Sequence, residues 1–193
     1  MPDAGRVIAG TARGLRLEAP GPGTRPIGDR VKQTVFAILE PGLAGARVLD
    51  LFAGSGAAGI EALSRGAASA AFVERDAKAC AVISANLVRT RLAGPRATVV
   101  KAEAIAWLTR SAASAAAAGG PFDLVVADPP YEDSGALLRA LELVQPYLAP
   151  GARVVAKHFW RYPPPAVIGL LASERERRFG ETALTFYRLQ EAR

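Results

Sequence analysis

The sequence has one cysteine, one histidine and one methionine, and no apolar run of membrane-spanning length. Cys80 alone cannot form an internal disulfide, and neither Cys80 nor His158 stands in a cluster of further metal ligands, so we expect no metal site. A transmembrane helix needs about 18 apolar residues, whereas the longest charge-free stretches, 111–122 and 162–173, have 12 residues each. No apolar signal segment follows the first residues. We therefore expect a cytoplasmic protein without a membrane segment.

The composition is that of a globular protein, with 50% hydrophobic and 22% charged residues, and a length of 193 residues suits one domain of catalytic size. Its net charge of +6 is unevenly placed, since residues 1–47 carry +3, residues 48–152 carry −1 and residues 153–193 carry +4. Arginine supplies 20 of the 24 cations, and its side chain binds phosphate bidentately and stacks on bases. Genomic base composition also raises arginine content, so charge by itself leaves a nucleic-acid surface and a compositional bias as open alternatives.

From Arg47 onward, strand and helix patterns alternate along the chain. Strands are predicted at 48–52, 70–74, 97–100, 122–127 and 152–156, and helices at 57–65, 76–94, 103–108 and 134–148. This alternation requires right-handed crossovers and a parallel sheet covered on both faces. Two further strands, at 176–179 and 183–189, flank Gly180 and predict an antiparallel hairpin. The predicted fold is therefore a doubly wound, mostly parallel α/β sheet with a C-terminal antiparallel hairpin.

A small N-terminal arm is predicted before this sheet. Two short strands, at 6–9 and 15–18, surround a glycine-containing turn and predict a hairpin. Asp29 then precedes an amphipathic segment, which we expect to form a helix that stops before Pro41. The chain thus divides into an arm at residues 1–40 and a catalytic domain at residues 41–193.

A glycine loop joins the first predicted strand of the sheet to its helix. Gly54-Ser-Gly-Ala-Ala-Gly59 matches the pattern G-x-G-x-x-G, and Glu74 ends the next strand, 18 residues past Gly56. In this setting the backbone closely approaches a nucleotide-like ligand, and the carboxylate accepts both ribose hydroxyls. A tight turn of small residues beside a solvated Glu74 is the alternative.

The carboxylate of Asp50 bears on which ligand this loop binds. The loop alone does not separate a nicotinamide cofactor from S-adenosylmethionine, which shares the adenosine but has no pyrophosphate. A carboxylate beside the loop would repel a pyrophosphate, but it could hold the amino group of a methionine moiety, directly or through water. Asp50 therefore favours S-adenosylmethionine, while a buried aspartate that caps the turn is the alternative.

A second motif, Asp128-Pro-Pro-Tyr131, follows the fourth predicted strand at the edge where open α/β sheets bind ligands. Pro129 and Pro130 restrict the backbone and have no N–H groups, which leaves Asp128 and the Pro129 carbonyl as acceptors for an amine. Tyr131 offers a ring for base stacking, worth about 1–3 kcal/mol. The motif predicts methyl transfer to an exocyclic base amine, and a stiff turn with a surface tyrosine is the alternative.

These motifs together resemble a known family. Val48-Leu-Asp-Leu-Phe-Ala-Gly-Ser-Gly56, Phe72-Val-Glu74 and Asp128-Pro-Pro-Tyr131 are similar to the bacterial small-subunit rRNA guanine-N2 methyltransferases, the RsmD family. In the arm, Arg6-Val-Ile-Ala-Gly10 and Asp29-Arg-Val-Lys-Gln-Thr-Val-Phe36 are similar as well. The resemblance implies a Rossmann-like class I methyltransferase that uses S-adenosylmethionine to methylate the 2-amino group of guanine 966 in 16S rRNA. The substrate would be the small ribosomal subunit or an assembly intermediate, and we expect a monomer.

The resemblance also implies three groups of site residues. Those expected to bind S-adenosylmethionine are Asp50, Phe52, Ala53, Gly54, Ser55, Gly56, Glu74, Arg75, Glu103 and Ala104. Those expected to be catalytic are Asp128, Pro129, Pro130 and Tyr131. The basic residues expected to contact RNA from the arm are Arg13, Arg16, Arg25, Arg30 and Lys32.

Three positions depart from the family pattern. Ile27-Gly28 stands where hydroxyl residues would lead into the helix, and Glu103 stands where Asp or Asn would lie near the adenine amine. Lys157 stands where an acidic residue would precede the histidine, and we assign it no role. His158 is expected to be packed or hydrogen-bonded rather than catalytic.

Other functions stay open on the sequence. An adenine-N6 methyltransferase acting on DNA or RNA would use the same two motifs. A nicotinamide oxidoreductase explains the loop at 54–59 but leaves Asp50 and the segment 128–131 unexplained, and a non-catalytic RNA-binding module explains only the basic ends. Trp160, among Arg161 and Tyr162, is left open between core packing and base stacking.

Overall fold

The structure is a computed structural model that describes residues 3–21, 28–110, 118–130 and 134–191. The strands are β1 (Asp3–Arg6), β2 (Arg16–Glu18), β3 (Arg47–Leu51), β4 (Ser69–Glu74), β5 (Ala97–Lys101), β6 (Phe122–Ala127), β7 (Leu148–Phe159), β8 (Val167–Ile168), β9 (Leu171–Phe179) and β10 (Thr182–Leu189). The helices are α1 (Asp29–Leu39), α2 (Ala57–Ser64), α3 (Ala77–Arg89), α4 (Ala104–Leu108) and α5 (Ser134–Leu143), with a 3₁₀ turn at Gln145–Tyr147. The low-complexity run at 111–117 lies outside the described residues.

Eight strands form one sheet, in the order β5-β4-β3-β6-β7-β10-β9-β8. The strands from β5 to β7 are parallel, and the last three are antiparallel to their neighbours. The chain runs from β3 to β4 on one side and later places β6 on the other side of β3, so the strand order reverses between β3 and β6. Open α/β sheets bind ligands at the carboxyl ends of the strands at such a point. The predicted doubly wound sheet with a C-terminal antiparallel hairpin is confirmed.

The two faces of the sheet bury separate apolar clusters. Successive side chains of a strand point to opposite faces, and in β3 Val48 joins the cluster that includes residues of α1, α2 and α3, while Leu49 and Leu51 join the cluster of α4 and α5. Trp107 of α4 is 2% exposed in this second cluster. The central strands are therefore covered on both faces, and their carboxyl ends are the part of the sheet left for a ligand.

The N-terminal arm packs on α2 and α3. Glu61 of α2 is fully buried, and its carboxylate accepts hydrogen bonds from the backbone N–H groups of Ile8 (2.7 Å) and Ala9 (3.1 Å). Asn86 of α3 accepts from the N–H of Glu18 and donates to its carbonyl, both at 2.9 Å. Apolar side chains of the hairpin and of α1 belong to the same core cluster as α2 and α3. The arm is therefore held to the sheet domain by buried polar and apolar contacts.

Several predicted boundaries are wrong. Helix α5 ends at Leu143 rather than at 148, because Pro146 lacks the N–H that an α-helix needs and lies in the 3₁₀ turn that follows. Strand β7 extends beyond 152–156 because it pairs with both β6 and β10. Strand β9 begins at Leu171 rather than 176, and β8 was not predicted. The first strand of the arm lies at Asp3–Arg6 rather than at 6–9.

Candidate active site

The two sequence motifs meet where β3 and β6 end. Asp50 is in register with Val126, and Leu51 with Ala127. The N–H of Asp128, the first residue after β6, donates to the carbonyl of Leu51 at 3.4 Å. The parallel pairing therefore brings Asp128 beside the start of the glycine loop, at the point where the strand order reverses.

The glycine loop turns the chain sharply from β3 into α2. Phe52, Gly54 and Gly56 all have left-handed backbone conformations, with φ of +66°, +56° and +76°. A Cβ added to Gly54 would meet only a carbonyl oxygen at 4.0 Å, so the space beside this residue is open. At Gly59, by contrast, a Cβ would lie 2.3 Å from the ring of Phe72. The first glycine leaves room for a ligand, and the third permits close packing of α2 on β4.

Glu74, at the end of β4, is hydrogen-bonded to the loop rather than merely solvated. Its Oε2 accepts from the N–H of Gly54 at 2.8 Å, and its Oε1 accepts from the N–H of Asp76 at 2.9 Å. A carboxylate has about four acceptor positions, so each oxygen retains capacity for one more donor. The carboxylate is thus oriented at the loop and can still accept ribose hydroxyls.

Asp50 is a buried carboxyl group in a negative environment. It is 3% exposed, and its Oδ2 accepts from the N–H of Gly59 at 2.9 Å. Burial raises the pKa of Asp50 to about 8; the Gly59 hydrogen bond opposes this shift, and the negative charges of Asp128 and Glu74 add to it. This hydrogen bond to the first turn of α2 agrees with the alternative in which Asp50 is a buried residue that caps the turn. Among the described residues no cation pairs with it, so the site also suits the ammonium group of a ligand.

Other residues predicted to bind the cofactor line the same edge. Glu103 follows β5 and caps α4, since its carboxylate accepts from the N–H groups of Ile105 (3.0 Å) and Ala106 (2.6 Å). Arg75 follows β4 and is exposed, and Ala104 is buried at the start of α4. The structure thus gives Glu103 a local capping role, and its predicted contact with adenine stays a prediction.

Asp128 forms a salt bridge with Lys157, a residue to which the sequence assigned no role. The Lys157 Nζ lies 2.7 Å from Oδ1 and 2.9 Å from Oδ2, and the two side chains are 9% and 19% exposed for Lys157 and Asp128. Burial raises the pKa of Asp128, and the charge and hydrogen bond of Lys157 oppose that shift. The pairing register of β6 with β7 explains the salt bridge, because Ala127 lies beside Ala156 and the next residues, Asp128 and Lys157, are therefore neighbours. Lys157 therefore offsets part of the effect of burial on the Asp128 pKa.

His158 is packed and hydrogen-bonded, as expected. It is 4% exposed, and its Nε2 lies 2.9 Å from Oγ1 of Thr185. Its Nδ1 lies 3.0 Å from the carbonyl oxygen of Phe159. The imidazole therefore links β7 to β10 in the sheet.

The prediction that Lys32 contacts RNA is wrong. Its side chain is fully buried, and its Nζ donates to the carbonyl of Arg6 at 2.5 Å and lies 3.5 Å from Oδ1 of Asp29. Residue 32 shares the inward face of α1 with Val35 and Phe36, so its side chain crosses the core to reach the hairpin. A lysine in this place cannot reach a phosphate.

The other predicted site residues divide into exposed and undescribed ones. Arg13 and Arg30 are exposed, and Arg16 is exposed with a salt bridge to Asp3 at 2.9 Å. Arg25 and Tyr131 lie outside the described residues.

In the described ranges, no group of three or more His, Cys, Asp or Glu residues could hold a metal ion. No helix in those ranges is long and apolar enough to cross a membrane.

Solved structures share this fold. The structure of yhhF from Escherichia coli superposes with a TM-score of 0.82 at 34% sequence identity, and the match covers 96% of this chain and 97% of that chain. An RNA methyltransferase from Salinibacter ruber in complex with S-adenosyl-L-homocysteine has a TM-score of 0.65 at 14% identity, covering 86% of this chain and 95% of that one. The fold is that of the class I methyltransferases.

Sequence comparison gives the family. The ribosomal RNA small subunit methyltransferase D of Escherichia coli strain K12 is 35% identical over 94% of this chain and 88% of its own length. The family described as Conserved hypothetical protein 95 matches residues 5–188, which is nearly the whole chain. The chain therefore belongs to the Conserved hypothetical protein 95 family, which is the RsmD family that its motifs resemble.

Proposed function

We propose that this protein transfers a methyl group from S-adenosylmethionine to the 2-amino group of a guanine in 16S rRNA, guanine 966 by family resemblance. The observation that carries the proposal is the salt bridge that holds Asp128 to Lys157 beside the glycine loop, at the point where the strand order reverses. The protein would act as a cytoplasmic monomer on the small ribosomal subunit or an assembly intermediate. Its arm, residues 1–40, would contact the RNA through Arg13, Arg16 and Arg30, which are exposed, and through Arg25.

The residues around the loop fit S-adenosylmethionine. Its adenosine ribose would be held by the Glu74 carboxylate, and its amino group by Asp50, a buried carboxyl without a cationic partner among the described residues. Its remaining atoms would lie along the open space at Gly54 and the backbone of 52–56. Arg75, Glu103 and Ala104 follow β4 and β5 on this edge, and the adenine would lie beside them. When bound, this molecule supplies an electrophilic methyl group.

Asp128 would act on the amine of the base as a charged hydrogen-bond acceptor. A guanine 2-amino group is far too weak an acid to be deprotonated first by a carboxylate with a reference pKa of about 4. The amine would therefore attack with both protons, and its nitrogen would become positive as the N–C bond forms and the bond from the methyl group to the cofactor sulfur breaks. The nitrogen would lose one proton, to Asp128 or to water, only after it has become cationic. Asp128 and the carbonyl of Pro129 stabilise that charge, which strengthens their contribution in the transition state. Pro130 stiffens the segment and Tyr131 would stack on the base.

The rival activity is methylation of adenine N6, which would use the same acceptors. The test incubates the purified protein and radiolabelled S-adenosylmethionine with unmethylated 16S rRNA, either free or in small subunits, and then separates the nucleosides. We expect label in N2-methylguanosine, and about 10²-fold slower labelling with the Asp128→Ala variant. Label in N6-methyladenosine would overturn the base assignment. Binding of NADH without binding of S-adenosylmethionine would overturn the methyltransferase proposal itself.

A further inference from the structure

A group of cationic and aromatic side chains at the end of β7 has no part in the proposed chemistry. It consists of Trp160, Arg161, Tyr162 and Arg178, and we refer to it as the Trp160 cluster. The guanidinium carbon of Arg178 lies 3.6 Å from the centroid of the Trp160 ring, and that of Arg161 lies 5.1 Å from it. Trp160 is half-buried, which leaves open the choice between core packing and base stacking.

The outer surface of the cluster retains binding capacity. Arg178 uses its Nε to donate to the carbonyl of Gly180 at 2.9 Å, and its terminal nitrogens have no partner within the described part of the chain. The Tyr162 side chain is 69% exposed, with its ring centroid 5.8 Å from that of Phe159. An exposed ring and two guanidinium groups thus project from one ordered group of side chains.

Charge around the cluster favours an anionic partner. Residues 153–193 carry a net charge of +4; Arg175 and Arg177 of β9 are also exposed, on the face of the strand opposite Arg178. Glu176, two residues before Arg178 in β9, is the acidic residue nearest to the cluster in sequence, and Glu181 lies in the turn between β9 and β10. In the described ranges neither glutamate forms an ion pair with an arginine of the cluster. Planar guanidinium groups bind phosphates bidentately, and an exposed tyrosine ring beside them suits an unstacked base.

The cluster lies at the same edge of the sheet as Asp128. Trp160 comes three residues after Lys157, whose ammonium contacts Asp128, and its N–H donates to the carbonyl of Glu181 at 3.0 Å. An extended residue spans about 3.3 Å, so the backbone of Trp160 is about 10 Å from that of Lys157. A polynucleotide with one base at Asp128 could therefore reach the cluster with a neighbouring nucleotide.

We propose that the Trp160 cluster binds single-stranded RNA next to the target nucleotide. Tyr162 stacks on a base, and Arg161 and Arg178 bind phosphates on either side of it. The identity of the RNA rests on the proposed function, but the binding itself does not require methyl transfer.

The test measures the affinity of a fluorescein-labelled single-stranded RNA of mixed sequence by anisotropy across a range of potassium chloride concentrations. We expect Arg161→Ala with Arg178→Ala to weaken binding about tenfold and to reduce the salt slope by about 1.4, since each lost phosphate contact on a single strand removes about 0.7. Tyr162→Ala should weaken binding about fivefold or more, which corresponds to the lower end of base stacking. Tyr162→Phe keeps the ring and should bind like the wild type.

The matched control replaces Arg96 and Arg110, two exposed arginines outside the cluster, with alanine. Equal affinity and salt slope for this control and for the Arg161 and Arg178 double variant would overturn the proposal. Because the bases of a duplex are already stacked, Tyr162→Ala should weaken binding of single-stranded RNA more than binding of duplex RNA. Equal losses for the two RNAs would overturn the stacking role of Tyr162. If the expected losses appear but rRNA is not methylated, the proposed function fails and the RNA site stands.

Discussion

The Nζ of Lys157 lies within 2.9 Å of both carboxylate oxygens of Asp128, so a cation is paired with the proposed acceptor of the reaction. The pairing has two opposite effects on catalysis. It favours the ionised form of Asp128, because burial raises the pKa of this carboxyl and Lys157 opposes that shift. It also occupies part of the acceptor capacity of the carboxylate, of which about half remains for an amine.

Removing the cation should shift the pH dependence of methylation. In Lys157→Met the burial of Asp128 is no longer opposed, so its pKa rises and the fraction of charged acceptor falls at neutral pH. The rate should therefore drop near pH 7 and recover as the pH is raised. Lys157→Arg should keep a rate profile close to that of the wild type. The measurement is single-turnover methylation between pH 6 and pH 9.

Arg47 and Asp123 provide a matched control at the opposite end of β3 and β6, with an Nε to Oδ2 distance of 3.1 Å. Arg47→Met removes a salt bridge between β3 and β6, whereas Lys157 joins β7 to the end of β6, and it leaves Asp128 untouched. Its pH profile should match that of the wild type. An unshifted profile in Lys157→Met would mean that Asp128 does not depend on Lys157 for its charge.

Asp128 itself should contribute to kcat more than to binding. Its negative charge stabilises the positive charge that develops on the attacking nitrogen, so Asp128→Ala should lower kcat by about 10²-fold or more. KM for S-adenosylmethionine should change little. Asp128→Asn should fall between the two, because its amide oxygen accepts a hydrogen bond but carries no charge. Equal single-turnover rates for wild type and Asp128→Ala would make the segment a structural turn.

Lys32 and Lys157 have roles in the structure that could not be predicted from the sequence. Periodicity placed Val35 on the inward face of α1, but position 32 is on the same face and carries a charge, which suggested solvent. The charge is accommodated because the Arg6 carbonyl of the hairpin, distant in sequence, accepts from it. Lys157 has no role in the sequence analysis because it departs from the family pattern, and its partner Asp128 follows another strand. Side-chain pairs that depend on tertiary register are not visible in spacing alone.

The fold was more predictable than its boundaries. The buried parallel strand Phe122–Ala127 has the predicted bounds, and β3, β4 and β5 lie within one residue of theirs, because each is a mostly apolar run. Strand β9 was half missed, because residues 173–178 are all exposed, most of them charged, and carry no apolar alternation. It is a strand because β10 pairs with its whole length. Local pattern predicts strands that bury both faces, and pairing decides the exposed ones.

Glu74 should provide a measurable part of the affinity for S-adenosylmethionine. Loss of a charged, partly buried acceptor for ribose hydroxyls should cost about 1.5–3 kcal/mol in Glu74→Ala, a loss of about ten- to 150-fold in affinity. Isothermal titration with S-adenosylhomocysteine measures this directly, and NADH should give no signal. Asp76→Ala, which removes the α3 cap nearby, serves as the control and should bind normally. Unchanged affinity in Glu74→Ala would remove the ribose assignment.

Ligand binding should release a proton from Asp50. With a pKa of about 8 the carboxyl is protonated below that pH in the free protein, and the ammonium group of a bound methionine moiety would favour its charged form. Titrations at pH 6.5 in buffers of different ionisation enthalpy should therefore reveal release of up to one proton. Asp50→Asn should abolish the release. Binding heats that do not depend on the buffer in the wild type would place the amino group elsewhere.

The same raised pKa predicts a stability effect. The unfolded Asp50 ionises near 3.8, and the folded one near 8, so the folded state binds more protons between these values. Stability contributed by this group is therefore present at low pH and is lost as pH rises through that window. Asp50→Asn should flatten the decrease in the free energy of unfolding between pH 5 and pH 8, measured by urea denaturation. A decrease of the same size in both proteins would contradict the prediction.

Glu61 should anchor the N-terminal arm. Its buried carboxylate accepts hydrogen bonds from Ile8 and Ala9 and pairs with the Nε of Arg65 at 2.7 Å. In Glu61→Gln the amide nitrogen must face one of these donors, so we expect a loss of about 2–4 kcal/mol in the free energy of unfolding. Glu40→Gln is the matched control, because Glu40 pairs with the same Arg65 at 2.6 Å but is 60% exposed. The control should cost less than about 1 kcal/mol.

Urea denaturation of both glutamine variants, together with limited proteolysis, tests whether that loss reaches the arm. Because the Ile8 and Ala9 contacts are the ones weakened, cleavage in the Glu61→Gln protein should appear first within residues 3–21, while the sheet domain stays resistant. Its unfolding should also begin at lower urea than that of Glu40→Gln. Equal stabilities and equal cleavage patterns in the two variants would mean that the apolar side chains of the hairpin, rather than the Glu61 carboxylate, hold the arm in place.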